Sequence, residues 1–140
     1  MKSPVDFRDY ILAFPKMVPH LSMLQKIIKS CGVFPEGNLF TEDKSFTYNG
    51  KLLSKQVNMF RIGRTAKNII EIGFNAGHSA LVFLIANPDS KLTIYDIGWH
   101  PYTRACYYYL DSVFPGRITF IEGDSLEMPL QDAKIGRAHV

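Results

Sequence analysis

One stretch of the chain restricts its fold more than any other, because a short apolar run leads directly into a glycine turn and then an apolar helix. The run is NIIEI, residues 68–72, and the turn extends from Gly73 to Gly77. The segment HSALVFLIA comes next, is almost wholly apolar, and is closed by Asn87 and Pro88. A short apolar run bounded by turn residues is typical of a buried strand, and the longer apolar segment favours a buried helix. We therefore predict a strand, a tight turn and a buried helix.

The same order repeats further along the chain. Helical spacing over residues 52–66 precedes the first strand, and residues 91–96 (KLTIYD) predict a second strand. Pro101 suits the first turn of a helix, where no amide proton is needed. That helix has one apolar face, which comprises Ala105, Cys106, Tyr109, Leu110 and Val113. Residues 117–122 predict a third strand, so the order is βαβαβ and requires parallel strands with right-handed connections. We expect an α/β fold, the N-terminal half of a doubly wound, Rossmann-like parallel sheet preceded by helices.

The segment ahead of the sheet, residues 1–51, is predicted to be helical with a loop. Proline lacks an amide proton and clashes with the preceding helical turn, so Pro15 and Pro19 should end a first short helix. A second, amphipathic helix follows over residues 21–30, and Gly32 is placed to cap its C-terminus. The remainder of the segment is rich in turn residues and predicts a loop.

The composition is that of an ordinary globular chain. Of 140 residues, 46% are hydrophobic and 21% are charged, which excludes disorder and fits one domain. The longest apolar run, residues 80–86, is too short to cross a bilayer. Asp6 and Asp9 stand where a secretory signal would need apolar residues, so we expect a cytoplasmic protein. Cys31 and Cys106 form no CxxC pair and suit a reducing compartment, and the histidines show no metal-ligand spacing.

The end of the chain, KIGRAHV, affects how its charge is interpreted. These residues resemble the translation of a common sequencing-adapter oligonucleotide, and a natural short tail is the alternative. The net charge is 16 − 13 = +3, and without Lys134 and Arg137 it becomes 14 − 13 = +1. At a net charge of +1, no basic field remains that would indicate a nucleic-acid partner.

Acidic residues stand where all three predicted strands end. Glu71 lies next to the end of the first strand, Asp96 ends the second, and Asp124 lies just beyond the third. Each acid taken singly is equally an ordinary strand terminus or helix cap. Parallel strands end at the same edge, where ligands bind, and Gly73 and Gly77 allow a ligand to approach the turn. The spacing 96 − 73 = 23 matches the roughly 20-residue step that places a carboxylate on a ribose diol, so we expect a ribose-containing ligand.

The turn itself distinguishes between nucleotide ligands. A dinucleotide fingerprint needs a second glycine so that the backbone can approach a pyrophosphate, but Phe74 and Asn75 stand there. The carboxylate of Glu71 would repel a phosphate and favour a cation. These two features favour a sulfonium or ammonium ligand.

The sequence EIGFNAGHSA resembles the first motif of class I S-adenosylmethionine-dependent methyltransferases, in the ExGxxxGxS form of catechol-O-methyltransferase-like enzymes that act on small molecules. YDIGWH and IEGDS resemble the second and third motifs, and the likeness covers about residues 52–132. It implies S-adenosylmethionine as the cofactor, with Gly73 and Gly77 bordering its methionine part and Glu71 near the amino group. The remaining residues that it implies are Ser79 for the carboxylate, Asp96 for the ribose hydroxyls, and Asp124 with Ser125 beside the adenine.

Several side chains near these motifs keep two interpretations. Asn75 either contacts the cofactor or satisfies the turn backbone locally, and His78 either contacts the cofactor or is a surface residue at a helix start. Trp99, His100 and Tyr102 either line a pocket, with His100 as a base, or form an aromatic loop packed on the fold. We predict no metal ligand and assign no catalytic residue.

The resemblance also implies a sheet that continues beyond three strands, whereas this chain is expected to stop there. We divide it into residues 1–51, the N-terminal segment; 52–133, a partial methyltransferase domain; and 134–140, an artefactual tail. As an inactive fragment, it would leave residues 68–72 as an apolar sheet edge that invites association. The leading hypothesis is a methyltransferase that acts on an oxygen of a small molecule, with no nucleic-acid or membrane partner. The alternatives are an NAD-dependent oxidoreductase and a non-catalytic nucleotide-binding or interaction module.

Overall fold

The computed structural model describes residues 4–32, 52–97, 100–123 and 134–137. Two helices come first, and strands and helices then alternate as the sequence predicts. The elements are α1 (Pro4–Ser30), α2 (Leu53–Thr65), β1 (Asn68–Ile72), α3 (His78–Ala86), β2 (Lys91–Asp96), α4 (Thr103–Val113), β3 (Ile118–Glu122) and β4 (Lys134–Arg137). The predicted βαβαβ order and the α/β class are confirmed.

The sheet is parallel and has the order β3-β2-β1-β4. Ile72 pairs with Tyr95 near the ends of β1 and β2, and Asp96 pairs with Glu122 at the ends of β2 and β3. The carboxyl ends of β1, β2 and β3 therefore lie side by side along one end of the sheet, which we call the carboxyl edge. The opposite edge, where the strands begin, is the amino edge.

The position of β1 in the sheet differs from the sequence-based prediction. Strand β1 is paired on one side with β2 and on the other with β4, where Ile70 is opposite Ile135. The prediction that residues 68–72 form a sheet edge is therefore wrong. An unpaired parallel strand presents a row of open backbone groups, and the Lys134–Arg137 segment satisfies them by pairing alongside. The origin of residues 134–140 as an appended tail stays a prediction.

Helix α1 is the second departure, because it runs unbroken through both prolines. The prediction that Pro15 and Pro19 end a helix is wrong. Both prolines lie on the exposed side of α1, where water can satisfy the carbonyl groups that lose a donor. One continuous buried face holds the two halves of the helix on the core, and it comprises Tyr10, Phe14, Met17, Leu21, Leu24 and Ile28. Packing of that face outweighs the local cost of the prolines.

The helices surround a core centred on α3, which is buried along most of its length. Tyr10 of α1 donates to Gln56 Oε1 of α2 at 2.7 Å, and the Tyr109 hydroxyl of α4 lies 2.8 Å from His20 Nδ1 of α1. Helix α4 buries only part of its predicted apolar face, since Ala105 and Val113 are exposed. None of the helices in the described ranges is both long enough and apolar enough to cross a membrane.

Candidate functional site

The turn that joins β1 to α3 has an uncommon backbone. Gly73 and Gly77 both have φ of 86°, and Asn75 between them has φ of 54°. Left-handed backbone of this kind is open to glycine and is tolerated by asparagine, which explains the residue types in the motif. The Gly73 amide donates to Tyr95 O at 2.7 Å, so the ladder between β1 and β2 continues into the turn.

Gly77 is also required by close packing. A Cβ atom at this position would lie 2.6 Å from Phe74 Cζ and 2.8 Å from Leu110 Cδ1. Phe74 is buried, and its ring packs edge-on against Tyr107 and Phe120. The glycine therefore lets the start of α3 approach an aromatic side chain that anchors the turn in the core.

Asp96 organises this turn from the neighbouring strand. Its Oδ2 atom accepts a hydrogen bond from the Phe74 amide at 2.6 Å and another from the Asn75 amide at 3.3 Å. Its backbone carbonyl accepts from the Gly123 amide at 2.7 Å, at the end of β3. Asp96 is buried, and through these hydrogen bonds it connects the ends of β1, β2 and β3 at the carboxyl edge. Its ribose-binding role stays a prediction.

Asn75 is fixed by a second contact across the same edge. Its Oδ1 atom accepts a hydrogen bond of 2.6 Å from the Tyr102 hydroxyl, and Tyr102 is fully buried before α4. The His100 ring stacks on Tyr102, with centroids 5.2 Å apart and planes 11° apart. Tyr102 therefore holds the turn after β1 against the segment after β2. Trp99 lies outside the described residues.

Glu71 is the most unusual side chain of the site. It is fully buried, and neither carboxylate oxygen has a hydrogen-bond partner among the described residues. Burial raises the pKa of Glu71 well above its usual range, and the nearby charge of Asp96 raises it further. A buried acid in this setting either stays protonated or is compensated by a cation.

The first residues of α3 are buried beside this turn. His78 is 4% exposed, so the interpretation of it as a surface residue at a helix start is wrong. Burial lowers the pKa of His78 to about 4, which keeps the imidazole neutral near pH 7. Ser79 is buried in the first turn, where backbone amides favour an anionic group. Asp124 and Ser125 lie outside the described residues.

The structure therefore brings together six of the predicted cofactor-binding residues at or beside the carboxyl edge: Glu71, Gly73, Asn75, Gly77, Ser79 and Asp96. Sequence reasoning missed the bond between Tyr102 and Asn75, because the two residues are 27 positions apart and no spacing rule relates them. In the described ranges, no three or more His, Cys, Asp or Glu side chains are grouped to hold a metal ion.

Comparison with known proteins places this architecture among the Rossmann-like α/β folds of methyltransferases. One similar structure is a candidate O-methyltransferase from Klebsiella pneumoniae, with a TM-score of 0.52 and 18% identity over 78% of this chain and 45% of that chain. Another is the Podospora anserina methyltransferase PaMTH1 bound to S-adenosylhomocysteine (SAH). Its TM-score is 0.53 and its identity 17%, over 91% of this chain and 53% of that chain.

These identities show a shared fold and nothing finer. The chain spans about half the length of either structure. No protein-family model and no curated protein matches the sequence.

Proposed function

We propose that the carboxyl edge binds S-adenosylmethionine and that the protein is a methyltransferase. The observation that carries this proposal is Glu71, a buried carboxylate without a hydrogen-bond partner in the described chain, beside a glycine turn at a strand end. Such a carboxylate is compensated by a cationic ligand and opposes a phosphate. S-adenosylmethionine carries a sulfonium and an ammonium group and has no phosphate.

The residues at the edge fit the different parts of that cofactor. Glu71 would hold the ammonium group, and Ser79 with the first amides of α3 would hold the carboxylate. Asp96 would bind the ribose diol while its Oδ2 atom keeps the turn in place. Gly73, which the left-handed backbone of the turn favours, has no side chain where the methionine part would pass. Asp124 and Ser125 complete the proposal on the adenine side.

The bound cofactor would supply an electrophilic methyl group for an in-line displacement. The contribution of the protein is to hold that group and the acceptor in line and to exclude water. We propose a small-molecule hydroxyl as the acceptor. The description of the Klebsiella pneumoniae structure as an O-methyltransferase supports oxygen as the methylated atom. The acceptor is proposed for the whole protein, because this chain covers only about half the length of its structural neighbours.

Isothermal titration calorimetry of the full-length protein with SAH and with NAD tests this proposal. We expect saturable binding of SAH and no binding of NAD, because the pyrophosphate of NAD would meet a turn that lacks the second glycine. Binding of NAD alone, or of neither ligand, would contradict the proposal. Transfer of a labelled methyl group to a panel of small hydroxyl compounds then tests the acceptor class.

A further inference from the structure

The residues paired with Glu71 in the sheet cannot share or neutralise a charge. In the sheet it stands opposite Ile94 of β2 and Gly136 of β4, neither of which carries a polar side chain. Arg137 of β4 stands one position further on, opposite Ile72. Among the described residues, the charged group that raises the pKa of Glu71 is Asp96, at the end of the adjacent strand, and it has the same sign. At the start of α3, burial keeps His78 neutral near pH 7.

The two carboxyl groups differ in how they are bonded. Asp96 Oδ2 accepts two backbone amides, from Phe74 and Asn75, and amide donors stabilise an ionised carboxylate. Glu71 receives no hydrogen bond from the described residues. Two adjacent buried carboxylates cannot both ionise cheaply, and Glu71 is the one that no described donor stabilises in its ionised form.

We propose that Glu71 is neutral in the unliganded protein and releases its proton when the cationic group of the cofactor binds beside it. The exchange is balanced: the O–H bond of the carboxylic acid breaks, the proton passes to solvent, and the carboxylate pairs with the ammonium group. This inference rests on the proposed function and adds a property to it. Glu71 selects ligands that carry a cation at this position, and pH controls their affinity.

The affinity for a cationic ligand depends on pH in one direction only. At low pH the proton competes with the ligand cation for Glu71, so affinity falls as pH falls. In the range where unliganded Glu71 is neutral and bound Glu71 is ionised, the dissociation constant rises about tenfold for each unit of decreasing pH. A ligand without the amino acid part does not displace the proton and is insensitive to pH.

Calorimetric titration of the full-length protein at pH 7 with SAH, in buffers of different ionisation enthalpy, measures the protons released on binding. The matched ligand is 5′-methylthioadenosine, which has the same nucleoside and thioether but no amino acid. The matched variant is Glu71→Gln, which reproduces the shape of the neutral acid and has no proton to release. We expect release of about one proton with SAH, and none with 5′-methylthioadenosine or with Glu71→Gln. Between pH 5 and 7, the SAH affinity of Glu71→Gln should be flat.

Three results would decide against the inference. SAH binding to the wild type without proton release would show that Glu71 is already ionised. Equal release from Glu71→Gln would assign the proton to another group, and equal release with 5′-methylthioadenosine would remove the cation as the cause. Failure of both ligands to bind would instead overturn the proposed function, so the two failures are distinguishable. Circular dichroism of Glu71→Gln confirms that the variant used is folded.

Discussion

The polar groups at the two edges of the sheet differ in how they are satisfied. At the amino edge, Arg117 donates from Nε to Ser90 O at 3.0 Å and from Nη2 to Ser90 Oγ at 2.7 Å, and it also reaches Asn87 O. Asn87 Nδ2 donates in turn to Ala66 O at 3.3 Å, and Lys91 Nζ donates to Gly116 O at 3.0 Å. One guanidinium thereby connects the loops that precede β2 and β3.

At the carboxyl edge, polar groups are concentrated but not all satisfied by one another. Asp96 is bonded to the turn, whereas Glu71 is buried without a donor among the described residues. Unsatisfied buried polar groups are costly, and they are retained where a ligand supplies what is missing. The amino edge is thus closed by its own hydrogen bonds, whereas the carboxyl edge keeps an acid that the described residues do not satisfy. On the proposed function, the stability given up at the carboxyl edge serves ligand binding.

The largest expected effect is the loss of stability in Gly77→Ala, which tests whether close packing or backbone strain requires this glycine at the carboxyl edge. Gly77→Ala places a Cβ 2.6 Å from Phe74 Cζ at a φ of +86°, so we expect a loss of about 3 kcal/mol of unfolding free energy. The matched control is Gly116→Ala at the amino edge, where φ is +75° and no atom lies within 4 Å of the added carbon. That variant should lose only about 1 kcal/mol. Equal losses of unfolding free energy in urea denaturation would show that only backbone strain, and not close packing, requires glycine at position 77.

Arg117→Met tests the amino edge. It keeps much of the side-chain volume but removes the donors to Ser90 and Asn87, so part-buried acceptors lose a donor. We expect a loss of about 2 kcal/mol in unfolding free energy. Affinity for SAH should be unchanged. A weakened affinity in a folded Arg117→Met protein would end the distinction between the two edges.

Glu71→Gln should stabilise the unliganded protein as pH rises. Burial raises the pKa of Glu71 in the folded protein above its value in the unfolded chain. The contribution of Glu71 to the unfolding free energy is therefore fully present below the unfolded pKa and is lost as pH rises through the folded pKa. Between the unfolded and the folded pKa of Glu71, the unfolding free energy of the wild type therefore falls by about 1.4 kcal/mol per pH unit relative to that of Glu71→Gln.

The control for this measurement is Glu122→Gln, at an exposed carboxylate paired with Arg104. The bond from Arg104 lowers the pKa of Glu122, so its contribution has the opposite sign and is lost as pH falls. Thermal melts from pH 3 to 8 compare the two variants, because the contribution of Glu122 is lost only below the ordinary pKa of a glutamate. A wild type and a Glu71→Gln variant that respond identically to pH would contradict the assignment of a neutral Glu71.

Tyr102→Phe has the smallest expected effect. It removes the donor to Asn75 Oδ1, which costs about 1 kcal/mol of stability and loosens the turn after β1, so SAH affinity should also fall. Tyr109→Phe is the matched control, because it removes a hydroxyl that contacts His20 away from the site. It should lower stability without changing affinity. If both variants bind SAH like the wild type, Tyr102 has no part in positioning the turn.

Local pattern was sufficient to predict β1, β2 and β3, the buried helix α3, and the positions of Glu71 and Asp96 near strand ends. Strands β1, β2 and β3 are short apolar runs bounded by turn residues, and such runs are defined by near neighbours in sequence. The glycine motif was equally local, since positive φ at Gly73 and Gly77 demands that residue type. For that reason the motif predicted the turn as well as the edge at which it lies.

The errors all concern interactions between distant parts of the chain. Helix α1 continues through Pro15 and Pro19 because its buried face packs on other elements, which outweighs local helix propensity. Strand β4 pairs with β1 although 61 residues separate the two strands, from 73 to 133. His78 is buried because the start of α3 packs into the core, and its residue type gives no sign of that.

The central claim is that ligand affinity depends on the carboxyl edge and not on the amino edge. The most direct test is the dissociation constant of SAH for Asp96→Ala and for Arg117→Met, each measured on folded full-length protein beside the wild type. We predict that Asp96→Ala weakens binding by about 1–3 kcal/mol and that Arg117→Met leaves it unchanged. An unchanged dissociation constant for Asp96→Ala, or equal weakening in both variants, would contradict the account.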